Sequence, residues 1–313
     1  MISYIARRLL LIIPVLIGVS ILAFLMTDLA PGDAAQIMAG PQASQSEIEN
    51  IRAKLNLNDP IHVRYYTFFK NILTFDFGQS IQTQKQVGEM ISIRYPNTFV
   101  LAVSSMIIAT IVGLFTGILS GVKQYSVFDY VSMIVALLGI SFPTFWIGLV
   151  LMYIFSVTLG ILPISGLPRE WWTIEGLRHL ILPAITLGVY SAALIARMTR
   201  SSVLDVIKMD YIRTAKAKGL MERSIIFKHV LKNAFIPVLT VIGLNFGRLL
   251  AGTVITESVF GINGVGRLVV RAIQNRDFPV VQGTVLIIAF TFIFINLLVD
   301  ILYAFLDPRI KYN

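Results

Sequence analysis

Cysteine is missing from this chain, and histidine occurs only three times in 313 residues. Zero cysteines exclude disulfides and thiol chemistry. Charge is scarce too: 14% of residues are Asp, Glu, Lys or Arg against 56% hydrophobic, and mean hydropathy is +0.78. A soluble globular surface needs more polar area than that, so a soluble domain is excluded and the bilayer is the chain's solvent. The three histidines, His62, His179 and His229, fall at different depths of the expected topology, so no metal site forms from them. No convergent nucleophile, base and orienting partner is found, so no catalytic residue is assigned. The pattern G-x-x-x-x-G-K-[ST] is likewise missing. The chain therefore does not itself hold ATP in a P-loop, and any ATP energy must come from another subunit.

What is there is a set of long apolar runs. An exposed backbone cannot be satisfied in lipid, which leaves helices of about 20 residues as the spanning elements. Six runs qualify, at 9–29, 98–122, 130–159, 180–196, 238–259 and 283–306, and the expectation is an all-α membrane protein with six transmembrane helices. The first run follows Arg7 and Arg8 like a secretory signal, but its apolar stretch is longer than a signal core and it reads as a retained span. The third is over-long, which predicts a tilt or bend. Within it lies Pro143, whose missing N–H must kink or interrupt the helix, and broken helices at membrane depth are tolerated where they line a cavity or are buried in protein.

Net charge is +9, which in a membrane chain reflects the positive-inside rule rather than nucleic-acid binding. Residues 197–237 hold nine Lys/Arg against Asp205, Asp210 and Glu222, whereas 31–97 hold six of each sign. This places the former segment in the cytosol, the latter outside, and both termini in the cytosol, flanked by Arg7, Arg8, Arg309 and Lys311. The segment 31–97 carries two helix signatures: a capping box of Ser46 and Glu49, and a start at Asp59-Pro60 before a stripe of Ile61, Tyr65, Phe68 and Ile72. That stripe suits either the membrane surface or a cap packed on the bundle. Gly113, Gly117 and Gly121 in one span, and Gly243 and Gly247 in another, read as seams for close helix packing. Trp171 and Trp172 suit an interfacial belt. "GINGVGR" resembles a dinucleotide loop only superficially, because no strand precedes it.

Two places carry functional information. Arg248 lies about ten residues into the fifth run, near mid-depth, where an unpaired guanidinium is too costly to face lipid. It must point into the bundle, a partner subunit or a watery cavity, with Asn245 and Asn296 nearest in depth. Either it is a structural arginine held by carbonyls and amides, or it lines a pathway and suits a carboxylate. Glu257 and Asp300 lie nearer the ends of their spans, which argues against an ion-driven secondary transporter. The other place is the basic segment. Leu204, Ile207, Tyr211 and Ala215 form one helical stripe, Gly219 stands where a left-handed cap ends the helix, and a second helix is expected from Met221 to Ala234 until Pro237 opens the next span. Two periodic faces over about forty residues exceed what topology needs and suggest a docking surface.

The segment resembles the cytosolic loop of ABC importer permeases, whose pattern is E-A-A-x3-G-x9-I-x-L-P; Ala215, Gly219 and Leu231 match it. "YIRTAKAKGL" with "HVLKNAFIPV" is similar to the variant used by the dipeptide, oligopeptide and nickel permease family. So are "YIARRLLLIIPVLIGVSILAF", "LAPGDAA", "FDFGQS", "ISFPTFWIG", "LGILPISG", "ESVFGINGVGRLVVRAIQNRDFPVVQG" and "DPRIKY", which together cover the whole chain and resemble its B-type permease. The resemblance implies one permease domain over 1–313 with the type I importer architecture in the plasma (inner) membrane. It implies a homologous C-type permease, two cytosolic ABC ATPases carrying ATP and Mg, and an extracytoplasmic substrate-binding protein as partners, with no cofactor in this chain. Asp210, Tyr211, Arg213, Thr214, Ala215, Lys218, Gly219, Leu220 and Arg223 would form the ATPase-coupling segment. Arg248, Asn245 and Pro143 are the translocation-pathway candidates. Dipeptides or oligopeptides are the expected cargo, with nickel or another small ligand as the rival within the family and an ion-driven transporter or membrane-embedded enzyme as rivals outside it.

Overall fold

The computed structural model describes residues 2–28, 34–39, 43–54 and 56–306. The start of "LAPGDAA", all of "DPRIKY" with Arg309 and Lys311, and the side chains of Arg7 and Asp300 lie outside the described residues. Regular structure among the described residues is helical, beside one isolated antiparallel bridge between Gln79 and Gln86. The helices are α1 (Ile2–Asp28), α2 (Ala34–Ala39), α3 (Gln45–Lys54), α4 (Ile61–Leu73), α5 (Val87–Val122), α6 (Val127–Ser141), α7 (Thr144–Met152), α8 (Ile174–Ile207), α9 (Asp210–Ala217), α10 (Glu222–Ser224), α11 (Leu231–Val259), α12 (Val265–Gln274) and α13 (Phe278–Leu306). Two π-helical turns, Tyr153–Thr158 and Ile225–Val230, extend α7 and precede α11.

Four helices among the described residues are long and apolar enough to cross a membrane: Val87–Val122, Ile174–Ile207, Glu222–Val259 and Phe278–Val299. A fifth candidate is the pair of α6 with α7 and its π turn, bent by 110°. The bend falls at Phe142–Pro143, where the proline caps α7 and the Phe142 ring stacks on Trp146 at 4.5 Å. Residues 9–28 of the run expected at 9–29 lie in α1, whose shorter apolar stretch is Leu10–Met26.

The chain divides into two compact units, one of Asn97–Asn263 with the chain from Phe294 onward, the other of Ile2–Pro96 with Gly264–Ile293. In the first, α8 is the hub and packs on α11, α6 and α7. Leu101, Leu182, Ile195, Val238 and Phe260 are among its fully buried core side chains. Gly113, Gly117 and Gly121 of α5 face Ile195, Thr199 and Val203 of α8, so the expected glycine seam closes this pair of helices. A Cβ on Gly117 would stand 2.5 Å from the Thr199 Cβ and 2.6 Å from the Ala196 carbonyl, which leaves room for hydrogen alone. Gly243 of α11 similarly faces Val299 of α13. At one end of α8, Arg200 grips Asp129 of α6 with Nε at 2.6 Å and Nη2 at 2.7 Å. Asp129 also accepts from the Tyr125 amide at 3.0 Å, and Ser126 caps α6 by accepting from the Asp129 amide.

In the second unit, α4 packs on α1. Phe24 meets the rings of Tyr65 and Phe68 at 5.5 and 5.6 Å, and the Tyr65 hydroxyl lies 2.9 Å from Ser20 Oγ. Tyr65 and Phe68 of the α4 stripe thus pack on α1, although Ile61 at its start is exposed and no residue of α4 is fully buried. Val265, Leu268, Val269 and Ala272 of α12 bury against Val87 and Ile91 of α5 and Val280 and Val281 of α13. Asp277, buried at the start of α13, accepts from Ser80 Oγ at 2.5 Å and from the Ile81 amide at 3.0 Å.

Three local expectations are corrected. The capping box is Ser44 with Glu47, two residues early: the Ser44 amide donates to Glu47 Oε2 at 2.8 Å and the Glu47 amide to Ser44 Oγ at 3.3 Å. That backbone donor holds the Glu47 carboxyl below its ordinary range. Pro237 opens no new helix; it lies inside α11, within its second turn, where it removes one donor without ending the helix. The helix expected from Met221 to Ala234 is no separate element either, since α10, the π turn and α11 run on as one rod from Glu222.

Candidate functional site

The basic segment folds into an elbow between α8 and α11. α8 stops at Ile207, and after the Lys208-Met209 link α9 restarts in a new direction, so the single stripe read from Leu204 to Ala215 splits over two helices. The inward residues are Val203, Val206, Ile212 and Ala215, closed from the other side by Ile225, Val230 and Ala234. Ile212 and Val230 are fully buried. Ala215, placed among the contact candidates from the motif, is buried in this core and holds α9 in place. Gly219 has φ +73, the left-handed conformation expected of it, and its amide donates to the Lys216 carbonyl at 3.0 Å. Nothing lies within 4 Å of where a Cβ would be, so backbone conformation rather than space selects glycine here.

The outward side of the elbow combines charge with apolar surface. Asp210, Arg213, Thr214, Lys216, Lys218, Leu220, Arg223, Lys228 and Lys232 are exposed. Arg213 and Asp210 stand 3.6 Å apart, but both are well exposed and the pair contributes little to stability. Met209, Met221 and Phe227 are also exposed, Met221 at 78% and Phe227 at 69%. Sequence reasoning passed over these three because it followed the buried stripe and the basic residues. The available signal was their off-stripe position, large apolar side chains amid lysines. Tyr211 is 40% exposed, yet its hydroxyl turns back to α11, where Asn233 Nδ2 donates to it at 2.9 Å.

The pathway candidates separate. Asn245 is buried in α11, with Nδ2 donating to the Val241 carbonyl at 2.7 Å and Oδ1 without a partner among the described residues. Arg248 is exposed and makes no hydrogen bond or ion pair among the described residues. It shares its face of α11 with Leu244, Ala251 and Ile255, all exposed, so it points away from the core of its own unit. Pro143 is exposed at the 110° bend. The structure does not gather these three into one cluster. Glu257, read as a residue at the end of its span, is fully buried and accepts from Thr98 Oγ1 at 2.6 Å.

Comparison with known proteins places this architecture. Residues 109–312 match the family described as binding-protein-dependent transport system inner membrane component, and residues 1–102 match its N-terminal companion. The dipeptide transport system permease protein DppB of Alkalihalophilus pseudofirmus is 45% identical over the full length of both chains. The glutathione transport system permease protein GsiC of Salmonella choleraesuis is 44% identical, again over the whole of both. Among solved structures, the MetNI methionine ABC transporter in an inward-facing conformation aligns with a TM-score of 0.56 at 18% identity, covering 67% of this chain and 93% of that one. An amino acid ABC transporter crystallised with histidines aligns at 0.51 and 18% identity, covering 71% and 94%. At that identity the structural likeness speaks for the fold alone.

Proposed function

The chain belongs to the binding-protein-dependent inner membrane components of ABC importers, in their peptide family, and from that premise we propose that it forms half of a translocation pathway for dipeptides or short oligopeptides. The observation that carries the cargo is full-length identity of 44–45% to permeases named for a dipeptide and for glutathione. Both cargoes are peptides with free carboxylates, which suits the guanidinium of Arg248 on the open face of α11. The other half of the pathway is a homologous C-type permease, and an extracytoplasmic binding protein delivers the peptide. The chain carries no catalytic site; ATP and Mg reside on two cytosolic ATPase subunits. Both of its termini and the elbow at Gly219 lie on the cytosolic side.

In this reading α9 and the turn through Arg223 seat in a groove on one ATPase. ATP binding closes the ATPase dimer, draws the elbow with it and rocks the spans from inward-facing to outward-facing; hydrolysis resets them. The mixed surface of the elbow supports this role, since basic residues orient a partner while Met209, Met221 and Phe227 supply the area to be buried.

Vesicles containing the full set of subunits should take up a dipeptide in an ATP-dependent, vanadate-sensitive manner. Uptake driven by an ion gradient without ATP would overturn the proposal. At the elbow, Gly219→Leu should abolish uptake while membrane insertion persists, because a left-handed β-carbon residue costs about 1–2 kcal/mol in backbone strain. Gly219→Asn, which tolerates that conformation, should keep most of it.

A further inference from the structure

The chain joins α9 to α11 through the weakest part of the elbow. Gly219 is unpacked on its side-chain face, α10 is a single turn, and the π turn that follows carries one residue more per turn than α-helix geometry requires. The apolar core beneath, Ile212 and Ala215 against Ile225, Val230 and Ala234, resists separation. It supplies no directional bond across the turn, because hydrophobic contact is non-directional. A displacement of α9 would therefore dissipate in the turn unless something directional bridged it.

That bridge exists. Asn233 Nδ2, in the first turn of α11, donates to Tyr211 Oη of α9 at 2.9 Å and to the His229 carbonyl of the π turn at 3.1 Å. Tyr211 Oη also lies 3.5 Å from that carbonyl. Tyr211 of α9 thus meets His229 and Asn233 of the rod that begins at Glu222, spanning 22 residues of chain between Tyr211 and Asn233. Among the described residues, these are the side-chain hydrogen bonds that tie α9 to the π turn and α11.

We infer that Tyr211 and Asn233 are a positioning pair that makes α9 and the membrane helix α11 move as one lever, so that motion at the ATPase reaches the pathway. The inference rests on the reading of α9 as the ATPase contact. Tyr211 then acts chiefly toward its own chain, and the hydroxyl rather than the ring is the part that matters for transmission.

The test is the amount of peptide moved per ATP hydrolysed in the reconstituted complex. Tyr211→Phe and Asn233→Leu should each lower that ratio by about two- to tenfold, the range expected for losing one or two directional hydrogen bonds. The double variant should be no lower than the worse single one, because both substitutions remove the same link. An unchanged ratio, or losses that multiply while thermal stability falls in step, would overturn the inference. Should Asn233→Leu insert poorly, Tyr211→Phe keeps the ring and carries the test alone. Because the chain has no cysteine, a single Lys218→Cys reports docking by cross-linking to an ATPase cysteine. No cross-link in the otherwise native chain refutes the ATPase-contact reading itself; a cross-link with an unchanged ratio in Asn233→Leu refutes the lever.

Discussion

α8 and α11 are both long and apolar and pack on each other, yet over its most apolar stretch α8 is 61% buried while the rod containing α11 is 39% buried. The glycines of α5 press on one side of α8, α6 and α7 cover others, and Arg200 near its end is clamped to Asp129. α11 instead shows an open face of Leu244, Arg248, Ala251 and Ile255. Helices drawn from similar compositions thus divide into one that holds the unit together and one that offers a surface. In lipid, apolar composition alone does not distinguish a lipid-facing side from a protein-facing one, because both are greasy. A paired charge marks the closed helix, and a cation with no ion pair among the described residues marks the open one.

The largest effect should come from closing the space in the seam. Gly117→Leu places a side chain where the Thr199 Cβ and the Ala196 carbonyl already stand, and the overpacking should cost about 3 kcal/mol. Loss of monodisperse protein in detergent gel filtration is the expected result, and a normal elution profile would remove the seam from the account. Next comes the clamp. Asp129→Asn leaves Arg200 facing a neutral group; because Arg200 is 26% exposed, the cost should be about 2 kcal/mol, below that of a fully buried pair. A thermal melt reads it, and Asp129→Leu with Arg200→Met should recover much of the loss. The smallest effect on stability belongs to Arg248→Ala, within about 0.5 kcal/mol because the residue is exposed and makes no hydrogen bond or ion pair among the described residues. Its uptake should nevertheless fall, and a variant as stable and as active as the parent would take Arg248 out of the pathway.

Much of the architecture was legible from periodicity. The helical class, the close approach at Gly113, Gly117 and Gly121, the interruption at Pro143 and the left-handed turn at Gly219 all follow from what one residue type permits. The misreadings have a common cause. Pro237 looks like a boundary, yet it lies inside the rod that begins at Glu222, where the helix continues past the one donor the proline removes. The stripe from Leu204 to Ala215 looks continuous because a 3.6-residue period survives a two-residue break by chance. Nor does any local signal announce a π turn, since its extra residue is accommodated by packing around Ile225 and Val230.

In the basic segment, the period of the sequence does not fix the facing of the side chains. Arg213, Lys218 and Arg223 are exposed, whereas Ala215 is buried and Tyr211 bonds inward. Met209, Met221 and Phe227 belong to the exposed surface for a reason that only the path of the backbone reveals.

By itself, the sequence determined the solvent, the class and the family: composition required lipid, lipid required helices, and motifs spread along the chain carried the kinship. Only tertiary structure decided which apolar faces close on protein, that Arg200 meets Asp129 across 71 residues, and that Asn233 reaches Tyr211 across an unpacked turn. The physical reason is that burial and directional bonding depend on which segments come within about 3–4 Å of one another, and the local period of a helix carries no record of that distance.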